Sequence, residues 1–122
     1  MTTKRVLAVD DERFVVRMIE DILREGGIEA LSASSGEEAV EKARANQPDL
    51  VLLDWMMPGM SGLEACRVLK VDPRTAHIPI VMLTAKGQAS EEEAKRAGAI
   101  DYLTKPFSPR KLLQLIEGYL AL

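Results

Sequence analysis

The sequence predicts an α/β fold, in which helices cover both faces of a five-stranded parallel sheet. Short apolar runs alternate with segments of helical periodicity five times along the 122 residues. The central run, residues 50–53, is apolar at every position, as in a strand that is buried on both faces. Neither a repeat nor a linker interrupts the alternation. We therefore expect a single domain over residues 1–122.

The predicted strands are the apolar runs at residues 6–9, 28–31, 50–53, 78–83 and 100–103. Serines mark the starts of three helices. These are the second, at Ser34 or Ser35, the third, at Ser61, and the fifth, at Ser108, where a proline follows. Glycines mark helix ends, with Gly26 after the first helix and a glycine at 98 after the fourth.

The apolar residues of each helix predict which face is buried. The first helix has six of them at helical spacing: Phe14, Val15, Met18, Ile19, Ile22 and Leu23. The fifth helix is predicted to bury Leu112, Leu113, Ile116, Tyr119 and Leu120. The fourth helix, residues 90–97, has only Ala89, Ala94 and Ala97 as inward candidates. Such small side chains bury little area at about 25 cal/mol per Å², so we expect this helix to be weakly held and mobile.

Composition and charge argue against several functional classes. The formal net charge is −3 and the 16 Lys and Arg residues are dispersed, which gives no electrostatic reason for direct nucleic-acid binding. The chain has no apolar stretch of membrane-spanning length, and acids interrupt its start too early for a signal peptide. Cys66 has no second cysteine to pair with, which suits a reducing compartment. We expect a cytoplasmic protein without a membrane partner.

Polar side chains follow four of the predicted strands. Asp10 and Asp11 end the first, Asp54 the third and Thr84 the fourth, and Lys105 follows the fifth by two residues. The flavodoxin-like strand order 2-1-3-4-5 places the first and third strands side by side at the switch point, where ligands bind in such sheets. The three aspartates are therefore expected to converge.

Three carboxylates in one pocket repel one another unless a cation joins them. Few protein ligands, with room for waters and a phosphoryl oxygen, favour Mg²⁺, or Mn²⁺ in its place. Lys105 would add a positive charge and Thr84 a hydroxyl donor. In this setting, the Asp54 carboxylate is suited to attack a phosphorus atom and hold the resulting acyl phosphate.

Each of these residues, taken alone, also has an ordinary structural explanation. Asp10 or Asp11 would cap the first helix, and Asp54 would be a turn residue. Thr84 would be a strand-end residue and Lys105 a solvated surface charge. Their joint position on one rim of the sheet favours a common site.

The whole chain resembles the receiver domain of two-component response regulators, of the CheY-like type. The resemblance is carried by VDDE at 9–12, LLDWMMPGMSG at 52–62, MLTA at 82–85 and YLTKPF at 102–107. It implies a (βα)5 three-layer sandwich. It also implies a signalling module rather than an enzyme, which catalyses only its own phosphoryl transfer and slow dephosphorylation.

By this resemblance, Asp54 accepts a phosphoryl group from a phosphohistidine on a sensor histidine kinase or a histidine phosphotransfer protein. Asp10, Asp11 and Asp54 hold Mg²⁺ together with the backbone carbonyl of Met56. Thr84 and Lys105 contact the phosphoryl oxygens. The partner is therefore a protein that carries a phosphorylated histidine.

The resemblance also implies a switch. Thr84 moves toward the phosphoryl group and the ring of Tyr102 turns inward. This movement remodels the face formed by the fourth helix, fifth strand and fifth helix, which binds an unknown downstream protein. The chain would be a monomer, or a dimer that forms on phosphorylation.

Three further implications concern residues around the phosphoryl group. The bond between Lys105 and Pro106 is expected to be cis. Met56 and Lys86 flank the phosphoryl group and tune the phosphorylated lifetime. We expect the bulky Met56 to hinder the in-line attack of water.

Three alternatives stay open at the sequence level. A phosphohydrolase of the haloacid dehalogenase type also forms an aspartyl phosphate, but it needs a second acid where Met56 stands. A flavin-binding protein needs a loop after the first strand that receives phosphate, whereas Asp10, Asp11 and Glu12 repel it. The third alternative is a constitutive scaffold. The chain is either a stand-alone receiver or the receiver of a longer regulator.

Overall fold

The computed structural model describes residues 3–85 and 91–121, in which strands and helices alternate. The strands are β1 (Arg5–Val9), β2 (Glu29–Ala33), β3 (Leu50–Asp54), β4 (Ile80–Ala85) and β5 (Asp101–Lys105). The helices are α1 (Arg13–Glu25), α2 (Gly36–Asn46), α3 (Gly62–Val71), α4 (Glu91–Arg96) and α5 (Pro109–Leu120). Among the described residues, no helix is both long and apolar enough to cross a membrane.

The strands form one parallel sheet in the order β2-β1-β3-β4-β5. Val9 pairs with Leu53, and Asp54 pairs with Leu83, so β1, β3 and β4 end at the same edge. One apolar core lies beneath α1 and α5, and another lies beneath α2, α3 and α4. The predicted α/β architecture and strand order are confirmed.

The central strand β3 supplies both cores. Val51 and Leu53 pack in the core under α2, α3 and α4, whereas Leu50 and Leu52 pack in the core under α1 and α5. Successive side chains of a strand point to opposite faces, so an apolar residue is needed at every position. Asp54 is therefore the first polar residue of a strand that is otherwise completely buried.

Three strands, β2, β4 and β5, begin and end later than the sequence predicts. β4 starts at Ile80, after Pro79, and continues through Thr84 because Thr84 pairs with Thr104 of β5. The same pairing carries β5 to Lys105, whereas Ile100 lies outside the strand and is exposed. Thr84 and Lys105 are therefore fixed by the sheet rather than placed in the loops beyond it.

The first helix is amphipathic, as predicted, but two of the six apolar residues at helical spacing are exposed. The side chains of Phe14 and Met18 are 69% and 40% exposed. The buried stripe consists of Val15, Val16, Ile19, Ile22 and Leu23. Phe14 and Met18 lie one turn apart at its edge, where they line a shallow surface groove with Pro109 of α5.

The fifth helix also buries fewer residues than predicted. Leu112, Ile116 and Leu120 are buried and Leu113 is half-buried, but Tyr119 is exposed. The Tyr119 hydroxyl donates a hydrogen bond of 2.8 Å to Oδ2 of Asp101, and so joins α5 to the start of β5. A polar tip on an aromatic ring accounts for its place at the helix surface.

The predicted serine caps are confirmed for three helices. The hydroxyl oxygens of Ser35, Ser61 and Ser108 each accept a hydrogen bond from the backbone N–H three residues later. Such caps contribute about 1 kcal/mol each. Ser34 is not the cap of α2, and its N–H donates instead to the carboxylate of Glu38.

Over its described residues, 91–96, the fourth helix contributes little to the core. Its one buried residue between 91 and 96 is Ala94. Ala97 follows the helix, and its carbonyl oxygen accepts a hydrogen bond of 3.4 Å from Sγ of Cys66 in α3. The predicted start at Ser90, and Ala89, lie outside the described residues. The mobility of α4 stays a prediction that its small buried surface supports.

Gly62 allows α3 to begin directly against the end of β3. Its N–H donates to the carbonyl oxygen of Trp55 at 2.9 Å. A Cβ atom at this position would lie 1.9 Å from the carbonyl oxygen of Asp54, so only glycine fits. The close approach fixes the start of the loop that follows Asp54.

Replacing Gly62 with alanine is expected to lower the free energy of unfolding by more than about 2 kcal/mol, because backbone must move to admit the Cβ. Urea denaturation measures the change. The matched control is Gly118→Ala in α5, where no described atom outside the adjacent helix backbone lies within 4 Å of the added Cβ. This control should be neutral or stabilised by up to about 1 kcal/mol. Equal stability of the two variants would contradict the packing described for Gly62.

Candidate functional site

Three carboxylates meet at the edge of the sheet where β1 and β3 end. Asp10 and Asp11 follow β1, and Asp54 is the last residue of β3. One carboxylate oxygen from each lies within 4.8 Å of the other two. Asp10 and Asp54 are 1% and 5% exposed, whereas Asp11 faces solvent. The predicted convergence of the three side chains is therefore present in the structure.

Lys105 joins two of these carboxylates. Its Nζ donates to Oδ2 of Asp10 at 2.7 Å and to Oδ1 of Asp54 at 3.0 Å. Lys105 is the last residue of β5, so its side chain crosses the end of β4 to reach the site. One positive charge thus faces three negative ones, and the cluster of four side chains keeps a negative balance.

Burial and charge shift the pKa values of the site in ways that agree with this geometry. Burial raises the pKa of Asp54 to about 6, the hydrogen bond from Lys105 opposes the rise, and the charges of Asp10 and Asp11 add to it. Burial alone would lower the pKa of Lys105, but its bonds to Asp10 and Asp54 outweigh this and raise it. At neutral pH the site therefore holds a charged lysine and a mainly ionised Asp54.

The donor set fits a hard divalent cation. Carboxylate oxygens are the ligands that Mg²⁺ prefers, and it usually keeps several waters beside one or two protein carboxylates. The exposed Asp11 opens the cluster to solvent, so an ion and its waters can enter. Met56 lies two residues beyond Asp54 with its side chain exposed. Its carbonyl as a further ligand stays a prediction.

Thr84 and Tyr102 lie on the same face of the sheet. Met82 pairs with Tyr102, and Thr84 is two residues beyond Met82, so all three side chains point toward the core under α2, α3 and α4. Thr84 is buried, and Tyr102 is half-buried against that core. The coupling between the two residues stays a prediction.

Two further expectations concern residues around the site. The structure confirms one of them, and the other concerns a residue that the structure does not describe. The bond between Lys105 and Pro106 is cis, as expected. Lys86 lies outside the described residues. The sequence reasoning missed the two glycines that follow serine caps, Gly36 and Gly62, which pack against the loop after Asp54. The repeated Ser-Gly pair at these helix starts is the signal that was available.

The variant Asp54→Asn is expected to be more stable than the wild type at pH 7.5 in EDTA, by on the order of 2 kcal/mol. The reason is that the pKa of Asp54 is raised in the folded state to about 6, from an ordinary 3.8. The folded state then binds more protons than the unfolded state between these values. The wild type therefore gains stability as pH falls through 6, and the difference between the two proteins should vanish near pH 4.

Urea unfolding at pH 4, 6 and 7.5 measures this difference. Asp72→Asn is a control of opposite sign. Hydrogen bonds from Arg74 hold the pKa of Asp72 well below its usual range. Removal of the Asp72 carboxylate should therefore destabilise the protein at pH 7.5. A loss of stability in Asp54→Asn that does not change with pH would contradict the prediction.

Comparisons with known proteins agree with the geometry. The family model for the response regulator receiver domain matches residues 6–117. The chain is 46% identical over 121 residues to the phosphate regulon transcriptional regulatory protein PhoB of Pseudomonas aeruginosa, covering 98% of this chain and 53% of that protein. It is 40% identical over 118 residues to the alkaline phosphatase synthesis transcriptional regulatory protein PhoP of Bacillus subtilis, covering 96% and 48%. The chain thus spans about half the length of these curated relatives.

The fold is also similar to that of solved structures. The chemotaxis protein CheY4 of Vibrio cholerae superposes with a TM-score of 0.89 at 32% identity, covering 97% of this chain and 99% of that one. Response regulators are signalling proteins that interact with histidine kinases, and their receiver domains bind Mg²⁺ at an acidic pocket. This chain has such a pocket in Asp10, Asp11 and Asp54. The chain belongs to the family of response regulator receiver domains.

Proposed function

We propose that the chain is a phosphorylation-controlled signalling module in which Asp54 is the phosphoryl acceptor. The observation that carries this proposal is the position of Lys105, which bonds to Asp10 and Asp54 at the edge of the sheet while Asp11 faces solvent. The donor is a phosphohistidine on a sensor histidine kinase or a histidine phosphotransfer protein. We place this exchange in the cytoplasm.

In the transfer step, a carboxylate oxygen of Asp54 attacks the phosphorus atom of the phosphohistidine. A P–O bond forms as the P–N bond breaks, and the electron pair of that bond stays with the imidazole nitrogen, which is then protonated. The raised pKa of Asp54 makes it a more basic nucleophile that is still mainly ionised at neutral pH. The Lys105 ammonium would stabilise the negative charge first on the carboxylate and then on the phosphoryl oxygens.

The residues that would hold Mg²⁺ are Asp10, Asp11, Asp54 and, through its backbone carbonyl, Met56. A bound Mg²⁺ supplies neutralisation of the charge on the carboxylates and phosphoryl oxygens. The negative balance of the cluster supports this assignment, because one ammonium leaves two carboxylate charges without compensation.

The output proposed here is a change in the face formed by α4, β5 and α5. Thr84 would move toward the phosphoryl group, and Tyr102 would turn into the space that Thr84 leaves. Their side chains on a common face of the sheet support the coupling, as does the small buried surface of α4. The downstream partner would be a protein or a second copy of the chain. PhoB and PhoP are transcriptional regulatory proteins by name, so an effect on transcription belongs to the proposal.

Incubation with acetyl phosphate and Mg²⁺, followed by intact-mass measurement, tests the acceptor. We expect one added phosphoryl group, which is absent in EDTA and in Asp54→Asn. Lys105→Met should slow its formation by more than about tenfold. Lys111→Met, which removes an exposed lysine of α5, is the matched control and should react at the wild-type rate. A phosphoryl group on Asp54→Asn, or no adduct under any condition, would overturn the proposal.

The proposed role of Met56 makes a separate prediction. Met56→Asn is expected to shorten the phosphorylated lifetime several-fold, because a smaller polar side chain would admit and orient the attacking water. The lifetime is read from intact mass after acetyl phosphate is removed. Phe14→Ala, which changes an exposed apolar residue of α1, serves as the control. An unchanged hydrolysis rate in Met56→Asn would refute this role.

A further inference from the structure

The loop between β3 and α3, residues 55–61, is fixed at its start by the sheet. The N–H of Trp55 donates to the carbonyl oxygen of Leu83 in β4 at 2.9 Å, and the carbonyl oxygen of Trp55 accepts from Gly62. The side chains of Trp55 and Met57 are buried. The loop contains Met56, whose carbonyl is assigned to the metal in the proposed function. Its path therefore decides where that carbonyl lies.

The far end of the same loop rests on the first residue of α2. A Cβ built on Gly36 would lie 2.7 Å from the carbonyl oxygen of Met60 and 2.9 Å from its Cγ. The three nearest atoms to this position all belong to Met60. Gly36 is buried, and Ser35 before it caps the helix. The backbone of α2 thus forms the surface on which Met60 sits.

The local conformation does not explain why residue 36 is glycine. Gly36 has helical backbone geometry, unlike Gly59 in the loop, whose φ of 75° favours glycine. Alanine is a better helix former than glycine, by up to about 1 kcal/mol in a helix interior. The contact with Met60 is what excludes a side chain at residue 36.

We propose that Gly36 is a positioning residue for the metal and phosphoryl site, acting through Met60 on the loop that carries the Met56 carbonyl. This inference rests on the proposed function. A methyl group at residue 36 would displace Met60. Because Gly62, two residues beyond Met60, is held against Asp54, the segment from Met56 to Met60 would have to take up the shift. Close-packed interiors transmit such displacements rather than absorb them.

A titration of Mg²⁺ followed by Trp55 fluorescence tests the proposal without relying on activity. Trp55 is the single tryptophan of the chain and is adjacent to Asp54. Gly36→Ala is expected to raise the Kd for Mg²⁺ by about tenfold, as changes in the residues that support metal ligands commonly do. Gly118→Ala is the matched control, since no described atom outside the adjacent helix backbone lies within 4 Å of its added Cβ, and its Kd should be unchanged.

Urea unfolding of each variant separates positioning from stability. A purely structural role for Gly36 predicts that Gly36→Ala loses stability while the folded protein keeps the wild-type Kd, and this result would overturn the proposal. Met60→Ala leaves α2 unchanged and removes the Cγ that would meet a new Cβ. In the double variant, the carbonyl oxygen of Met60 still lies 2.7 Å from the added Cβ, so the Kd should stay above that of Met60→Ala alone. A Kd in the double variant equal to that of Met60→Ala alone would also count against the proposal.

If Gly36→Ala does not fold, Met60→Ala alone carries the test, because it removes the side-chain part of the same contact. Its Kd for Mg²⁺ is expected to rise, by less than in Gly36→Ala, and an unchanged Kd would overturn the inference. A different result would show that the proposed function itself is wrong. In that case the wild type itself binds no Mg²⁺, or takes no phosphoryl group from acetyl phosphate. If the wild type does both, and the Gly36 and Met60 variants have the same Kd for Mg²⁺ as the wild type, only the positioning role is refuted.

Discussion

The edge of the sheet depends on the hydrogen bonds that the Lys105 ammonium donates to two carboxylates. The ammonium bonds to Asp10 and Asp54, which are both buried, and links the ends of β1, β3 and β5 across β4. A buried carboxylate without a partner is costly, so the loss of this one cation would leave two such groups uncompensated. One positive charge cannot balance three negative ones. The uncompensated negative charge of the cluster therefore favours the binding of a divalent cation.

The helices that cover the sheet are packed unequally, and this difference bears on the proposed output. Large apolar residues of α1 and α5, such as Ile19 and Leu112, fill one face. On the other face, α4 contributes only Ala94 from its described residues, with a hydrogen bond from Cys66 to Ala97 just beyond it. In the proposed switch, an element with so little buried surface is the one that a modest change at Thr84 would displace.

The sequence was sufficient for the architecture because the apolar run of β3 and the alternation of elements allow few other folds. It also located the rim residues, since parallel strands end at a common edge. It was less reliable at the margins of helices, where burial depends on the neighbouring element. Phe14 and Tyr119 are exposed although their spacing predicts burial. The Ser-Gly pair marks Gly36 in the sequence but does not predict its proposed role, because the contact with Met60 joins residues 24 positions apart.

The charge balance of the pocket is tested most directly by an NMR titration of the Asp54 carboxyl carbon, first in EDTA and then with Mg²⁺. Without a divalent cation, its pKa should be raised to about 6, because burial and the nearby Asp10 outweigh Lys105. With Mg²⁺ bound, the pKa should fall, since a cation favours the charged carboxylate. An ordinary pKa near 3.8 that does not respond to Mg²⁺ would contradict a shared metal site at these three aspartates.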